Sequence, residues 1–320
     1  MRVAMNKNRL ACAIIAAMIC ASGPAGTATA QTPEAVNDAP AIAPSRPSSI
    51  PFKLRDNLVT IDTTINGRRL SAVLDSGASY MIIDRSMAQE LGLSEGASTG
   101  DVAAAGSHAE QLRPIDIESL IVGPLRFEHV PGHTVNLGQL SSSAGFPIPL
   151  LIGAPAFKHG AVTVDYRRHR VTFGPSRSAP ACAAPIPLNV VDNVPVVEVD
   201  VRTTPQAEPV RLKLVVDLGT RHNAMMVGGP FLRSEAGMAL MRSGREQKVG
   251  HGVGGAVQGN IARIAELRAG ALQVADVQVA LTAGASAFEA GIVDGSLGVP
   301  FWEKGVITFD YPAQQMCMER

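Results

Sequence analysis

From residue 51 onward the chain is written in short apolar stretches with a period of two, each cut off by Gly, Asn or Pro, a pattern that predicts strands. Leu58-Val59-Thr60-Ile61-Asp62-Thr63-Thr64-Ile65 alternates and then meets the hairpin turn Asn66-Gly67. Val194-Pro195-Val196-Val197-Glu198-Val199-Asp200-Val201 does the same later. Two further strands, residues 70–74 and 212–216, run straight into Asp75 and Asp217. A short apolar strand follows each aspartate, at 80–83 and 224–227, and then a helical stretch. The first helix is predicted from its cap Asp84 to Gly92, the second from Pro230 to about Arg242.

The order of these signals is duplicated. Both halves close alike, in Leu151-Ile152-Gly153-Ala154-Pro155-Ala156-Phe157 and Ser296-Leu297-Gly298-Val299-Pro300-Phe301-Trp302. The two aspartates are 142 positions apart (75 to 217) and the two closing glycines 145 (153 to 298), so the chain reads as two copies of one unit. Expected boundaries are a targeting peptide over 1–30, a disordered Pro/Ala/Ser-rich leader over 31–50, an N-terminal lobe over 51–175, a linker over 176–184 and a C-terminal lobe over 185–320. The fold class is all-β: two homologous barrel-like lobes with a few short helices.

Composition narrows the partners. Lys+Arg and Asp+Glu are both 28, with no run of one sign, which argues against nucleic acid or an anionic membrane surface. Arg2, Lys7 and Arg9, the apolar run 10–21 and Ala28-Thr29-Ala30 form an export signal cleaved after Ala30. That run is short of the ~20 residues a spanning helix needs, so a periplasmic or secreted product without a membrane span is expected. Removal of the signal leaves Cys182 and Cys317 in an oxidising compartment. They flank the strands of the second half and are candidates for a disulfide; two buried thiols are the alternative.

Each aspartate ends an apolar strand and is followed by a small or apolar residue and Gly, a tight turn that presents a carboxylate. Two such turns brought together by a two-fold place two carboxylates at one site, where they share a proton. Val73-Leu74-Asp75-Ser76-Gly77-Ala78-Ser79 resembles the signature of the aspartic peptidases, and Ile152-Gly153 and Leu297-Gly298 are similar to their second signature. The resemblance covers residues 51 to the end, and two lobes in one chain resemble the pepsin arrangement rather than the retroviral homodimer. It implies a cleft between lobes, Asp75 and Asp217 as the catalytic pair, hydrolysis of an extended polypeptide by an activated water, and no metal or other cofactor. The implied substrate is an exported or membrane-anchored protein, and the implied state is a monomer.

The loops depart from that pattern. Ser76, Gly77, Ala78 and Ser79 support Asp75; Leu218, Gly219 and Thr220 support Asp217. Leu218 stands where the family has a hydroxyl that braces the opposite loop, so half of the cross-brace is expected to be missing. Thr220 can donate to Asp217, whereas Ala78 offers Asp75 nothing equivalent. Fewer donors raise the pair's pKa and move activity nearer neutrality than pepsin's. A catalytically weakened peptide-binding or regulatory module on the same fold is the alternative function.

Two stretches could form the mobile flap: residues 102–107, and the tip Gly252, Val253, Gly254 and Gly255. The Gly-rich tip has neither a feeding apolar strand nor the Lys-Ser/Thr of a phosphate loop. His129 and His133 have zinc-like spacing, but Pro131-Gly132 breaks the helix this needs, and both are expected at the surface. Arg221-His222 reads as a solvated turn, and Phe157 and Trp302 as matching core residues.

Overall fold

The computed structural model describes residues 41–42, 44–98, 100–102, 110–177, 182, 184–283, 288 and 291–319. It is a bilobed, almost wholly β structure. The first lobe is a nine-stranded sheet that includes Leu58–Ile65, Arg68–Leu74, Met81–Asp84, Glu110–Val122, Leu125–Val135 and Leu150–Ile152. The second is an eight-stranded sheet built from Val194–Arg202, Val210–Asp217, Met225–Val227, Arg245–Gly252, Gly255–Ala269, Leu272–Leu281 and Gly295–Gly298, with Asn189–Val191 at its edge.

A third, six-stranded sheet joins the lobes and takes strands from both halves. Its two central strands, Ala161–Asp165 and Val306–Asp310, are antiparallel with Thr163 opposite Thr308. These threonines are equivalent by the repeat and touch each other, Oγ1 to Oγ1 at 2.9 Å. A residue hydrogen-bonded to its own counterpart lies on the symmetry axis, so the local two-fold passes through this pair.

Each lobe threads its dyad strand through a tight arrangement. In the first, Leu150–Ile152 runs parallel to Arg68–Leu74 and antiparallel to Met81–Asp84; in the second, Gly295–Gly298 does the same between Val210–Asp217 and Met225–Val227. Leu150–Ile152 and Gly295–Gly298 are buried at every position, so side chains on both faces are shielded from water. Trp302 and Phe157 are fully buried beneath them, as expected of core residues. The Trp302 indole donates to the Tyr166 hydroxyl at 3.4 Å, and Phe157 stacks on Tyr311.

The helices are short: α1 (Arg85–Glu90), α2 (Gly138–Ala144), α3 (Gly229–Arg233) and α4 (Glu235–Ser243). Asp84 caps α1 by accepting from the Ser86 amide at 3.0 Å. The single helix expected from Pro230 to Arg242 is two, because Ser234 leaves helical geometry and caps α4 through the Gly237 amide.

The expected leader is also partly ordered. Ala41–Ile42 pairs with Arg126 and Phe127, and Ser48–Pro51 is an outer strand of the interlobe sheet, paired with Arg170–Gly174. Backbone pairing at a sheet edge needs no apolar side-chain pattern, so composition did not reveal it. The linker is tied down at its start, where Ser176 and the Arg177 amide bond the buried carboxylate of Asp310; residues 178–181 and 183 lie outside the described residues.

Candidate active site

Asp75 leaves its strand with its amide bonded to the Ile152 carbonyl at 2.9 Å, and the turn closes when Ala154 N donates to Ala78 O at 2.7 Å. The second copy repeats this, with Val299 N bonded to Thr220 O at 2.8 Å. The backbones are so close that only glycine fits below each loop. A Cβ on Gly153 would lie 2.0 Å from the Tyr80 carbonyl oxygen, and one on Gly298 would lie 2.2 Å from that of Asn223.

The two aspartates meet. Their carboxylates border the same point beside Gly219 and are 1% and 0% exposed. A Cβ on Gly219 would sit 2.7 Å from Asp75 Oδ2 and 3.0 Å from Asp217 Oδ1, so glycine is what lets this loop approach both carboxylates.

Their surroundings differ as the loops predict. Asp217 accepts from the Gly219 amide at 2.7 Å and the Thr220 hydroxyl at 2.7 Å, and Ser296 lies 3.0 Å behind that hydroxyl. Asp75 accepts from the Gly77 amide at 3.0 Å, and Ala78 has no hydroxyl to add. Burial raises both pKa values. Asp217 is pushed up to about 6, held back by its donors. Asp75 goes up by burial and then by the charge of Asp217. With two donors on Asp217 and one on Asp75, the surroundings favour the charged form of Asp217 over that of Asp75.

Ser76 braces the loops: its hydroxyl donates to the Val216 carbonyl at 2.7 Å and accepts from the Leu218 amide at 3.0 Å. Leu218 cannot return these bonds and is fully buried in the apolar core. Ser79 donates to the Asp192 carbonyl at 2.6 Å.

The glycine-rich candidate flap is the turn between Arg245–Gly252 and Gly255–Ala269. Val253 at its tip is 1% exposed and crosses to the first lobe, where it packs among Leu58, Ala78, Ile82, Leu137 and Leu140. Residues 103–107 of the other candidate lie outside the described residues, and Val102 ends the strand Gly100–Val102.

Arg221 and His133 stand differently from expectation, whereas His129 and the cysteine pair agree with it. Arg221 is buried, with only His222 half-exposed, and both reach Asp56 of the other lobe: Arg221 Nε at 3.2 Å and His222 Nε2 at 2.9 Å. A carboxylate 165 positions away in sequence gave no local signal of this pairing. His129 and His133 lie on the strand Leu125–Val135. His129 is exposed and pairs with Asp116 at 2.8 Å, whereas His133 is partly buried against Tyr80, and burial lowers its pKa to about 4. Cys182 and Cys317 are joined in a disulfide with Cα atoms 5.9 Å apart. Among the described residues no group of three or more His, Cys, Asp or Glu is arranged to hold a metal ion.

Duplicated tight loops that meet as a buried pair of carboxylates across a two-fold define the bilobed acid-protease fold. Residues 61–156, which contain Asp75 and the second-signature glycine of the first lobe, match the aspartyl protease family model. Among solved structures the chain is similar to a retropepsin-like aspartic protease from Rickettsia conorii, at 22% identity over 40% of this chain and 90% of that one, with a TM-score of 0.30. No curated protein matches.

Proposed function

We propose that the chain is an aspartic endopeptidase that hydrolyses extended polypeptides with Asp75 and Asp217. The reading is carried by the juxtaposition of two buried carboxylates at the junction of the lobes. In the one-proton state the charged carboxylate takes a proton from a water as its oxygen attacks the scissile carbonyl carbon. The protonated carboxyl donates to the carbonyl oxygen, and collapse of the tetrahedral species expels the amine, which leaves with a proton returned by the pair. No bond forms to the enzyme. The extra donors on Asp217 support it as base, with Asp75 as acid.

The hairpin carrying Val253 is proposed as the flap, which must lift to admit a substrate, because both carboxylates are closed off when it is seated. The sequence before residue 31 supports export to the periplasm or beyond, and hence an exported or membrane-anchored substrate for a monomeric enzyme. The missing hydroxyl at Leu218 favours one second reading, a peptide-binding module with weakened hydrolysis.

Incubation of the purified protein with an unfolded protein substrate tests the proposal. Wild type is expected to cleave it, and Asp75→Asn and Asp217→Asn are each expected to abolish cleavage. Full activity in Asp217→Asn would overturn the shared-proton mechanism. Peptide binding without turnover in wild type would favour the second reading.

A further inference from the structure

The two-fold that relates Asp75 to Asp217 also relates Ser79 to Arg221, each four positions further on. It relates the turn Asp56-Asn57 to Asp192-Asn193, and all four turn residues have left-handed backbones. At one end of the cleft the contact is small and complete, Ser79 Oγ on the Asp192 carbonyl. At the other end a guanidinium takes the serine's place.

Arg221 is only partly satisfied. Nε faces Asp56 at 3.2 Å, Nη2 donates to Ser143 Oγ at 2.5 Å, and the main-chain carbonyl accepts from Asn57 Nδ2 at 3.0 Å. Among the described residues Nη1 finds no partner, on a side chain that is 5% exposed. Asp56 is shared with His222, and His251 and Lys248 of the hairpin bring further nitrogen bases to the same region.

Its position ties it to the cleft. Ser143 belongs to α2, whose Leu140 and Ala144 receive the hairpin tip Val253. Asn223, two residues past Arg221, donates to the Val249 carbonyl of the hairpin at 2.8 Å. The guanidinium thus joins the dyad loop to α2, and the hairpin is tied to the same loop two residues away.

A buried N–H on a cation is costly to leave unmade and calls for an explanation. The Nη1–Nη2 edge of a guanidinium matches the two oxygens of a carboxylate. Building on the proposed peptidase activity, we infer that Arg221 forms an anion subsite at one end of the cleft and takes a carboxylate of the substrate polypeptide, from an Asp or Glu side chain or from the chain terminus. Seen this way the cleft is polar: the Ser79 end has no counterpart of the guanidinium.

The test uses peptides that share one cleavable sequence and differ by Glu or Gln at a single scanned position, together with pairs ending in a free acid or an amide. Wild type is expected to favour Glu by about tenfold in kcat/KM at one position on one side of the scissile bond, or to favour the free acid if the terminus is the ligand. Arg221→Met should bring that ratio near one, and Asp56→Asn should raise it by removing the built-in competitor. General damage to the fold lowers both members of a pair alike, so opposite shifts of one ratio are specific to the subsite. A wild-type ratio near one at every position, or a ratio that survives Arg221→Met, overturns the inference and leaves Arg221 a purely structural ion pair. Fluorescence anisotropy with Asp75→Asn separates this from failure of the peptidase reading. Arg221-dependent preference for the acidic peptide, in a protein whose wild type cuts nothing, keeps the subsite and removes the enzyme.

Discussion

Ser76 and Leu218 are equivalent by the internal two-fold, yet Ser76 alone makes the connection, with its hydroxyl between the Val216 carbonyl and the Leu218 amide. One side chain satisfies two buried backbone groups of the other lobe. Ser76→Ala strands both and is expected to cost about 2–4 kcal/mol, measurable by urea denaturation. A loss within about 0.5 kcal/mol would mean that the brace carries no load. Leu218→Thr restores a hydroxyl at the expense of apolar burial, and should lose roughly 1–2 kcal/mol of stability while gaining rate. An unchanged kcat would place the limiting defect elsewhere.

The dyad is expected to weaken the fold at neutral pH. Both folded pKa values lie above those of carboxyls in an unfolded chain, with Asp217 near 6. The folded state therefore binds extra protons, whose stabilisation is complete below roughly pH 4 and lost as pH rises through the folded values. Asp217→Asn removes a charge that burial opposes. It should raise stability by about 2–3 kcal/mol near pH 7.5 and by little near pH 4. Equal effects at the two pH values would contradict this origin.

Under the proposed mechanism turnover requires the one-proton form, so a bell-shaped profile is expected with its acid limb near 6, set by Asp217. Thr220→Val deletes a donor to the charged carboxylate and should move that limb up by about half to one pH unit. A maximum near pH 2–3 in wild type would exclude the assignment.

Val253 holds the hairpin down with a side chain fully buried in the opposite lobe. Val253→Gly removes about 1.5–3 kcal/mol of burial from the seated state. Faster amide exchange over residues 250–256 and a raised KM are the expected signatures. Unaltered exchange would show that the tip is held by its backbone.

Loss of the Cys182–Cys317 bridge should lower stability by roughly 2–5 kcal/mol, since it ties the start of the second half to its last strand. Denaturation of Cys182→Ser/Cys317→Ser beside wild type measures it.

The duplication made much of this legible in advance. Apolar strands running into Asp75 and Asp217, and glycines at matching distances behind them, are local patterns whose repetition fixes their pairing. The unequal donors at Ala78 and Thr220 were readable for the same reason, since each position is checked by its counterpart. Arg221 was not legible: its burial depends on Asp56 and Ser143, which reach it through the packing of the other lobe. The edge strand Ser48–Pro51 was hidden because it is held by backbone bonds to Arg170–Gly174.

The contact of Thr163 with Thr308 means that the central strands form a self-complementary seam, of the kind by which two identical subunits would associate. Here both sides of the seam belong to one polypeptide. In a dimer of identical chains every substitution is made twice, so a leucine at the brace would delete both bridges and an arginine at the cleft's end would appear at each end. Continuity of the chain releases the halves from that constraint. Leu218 and Arg221 are single changes that such a dimer could not carry singly.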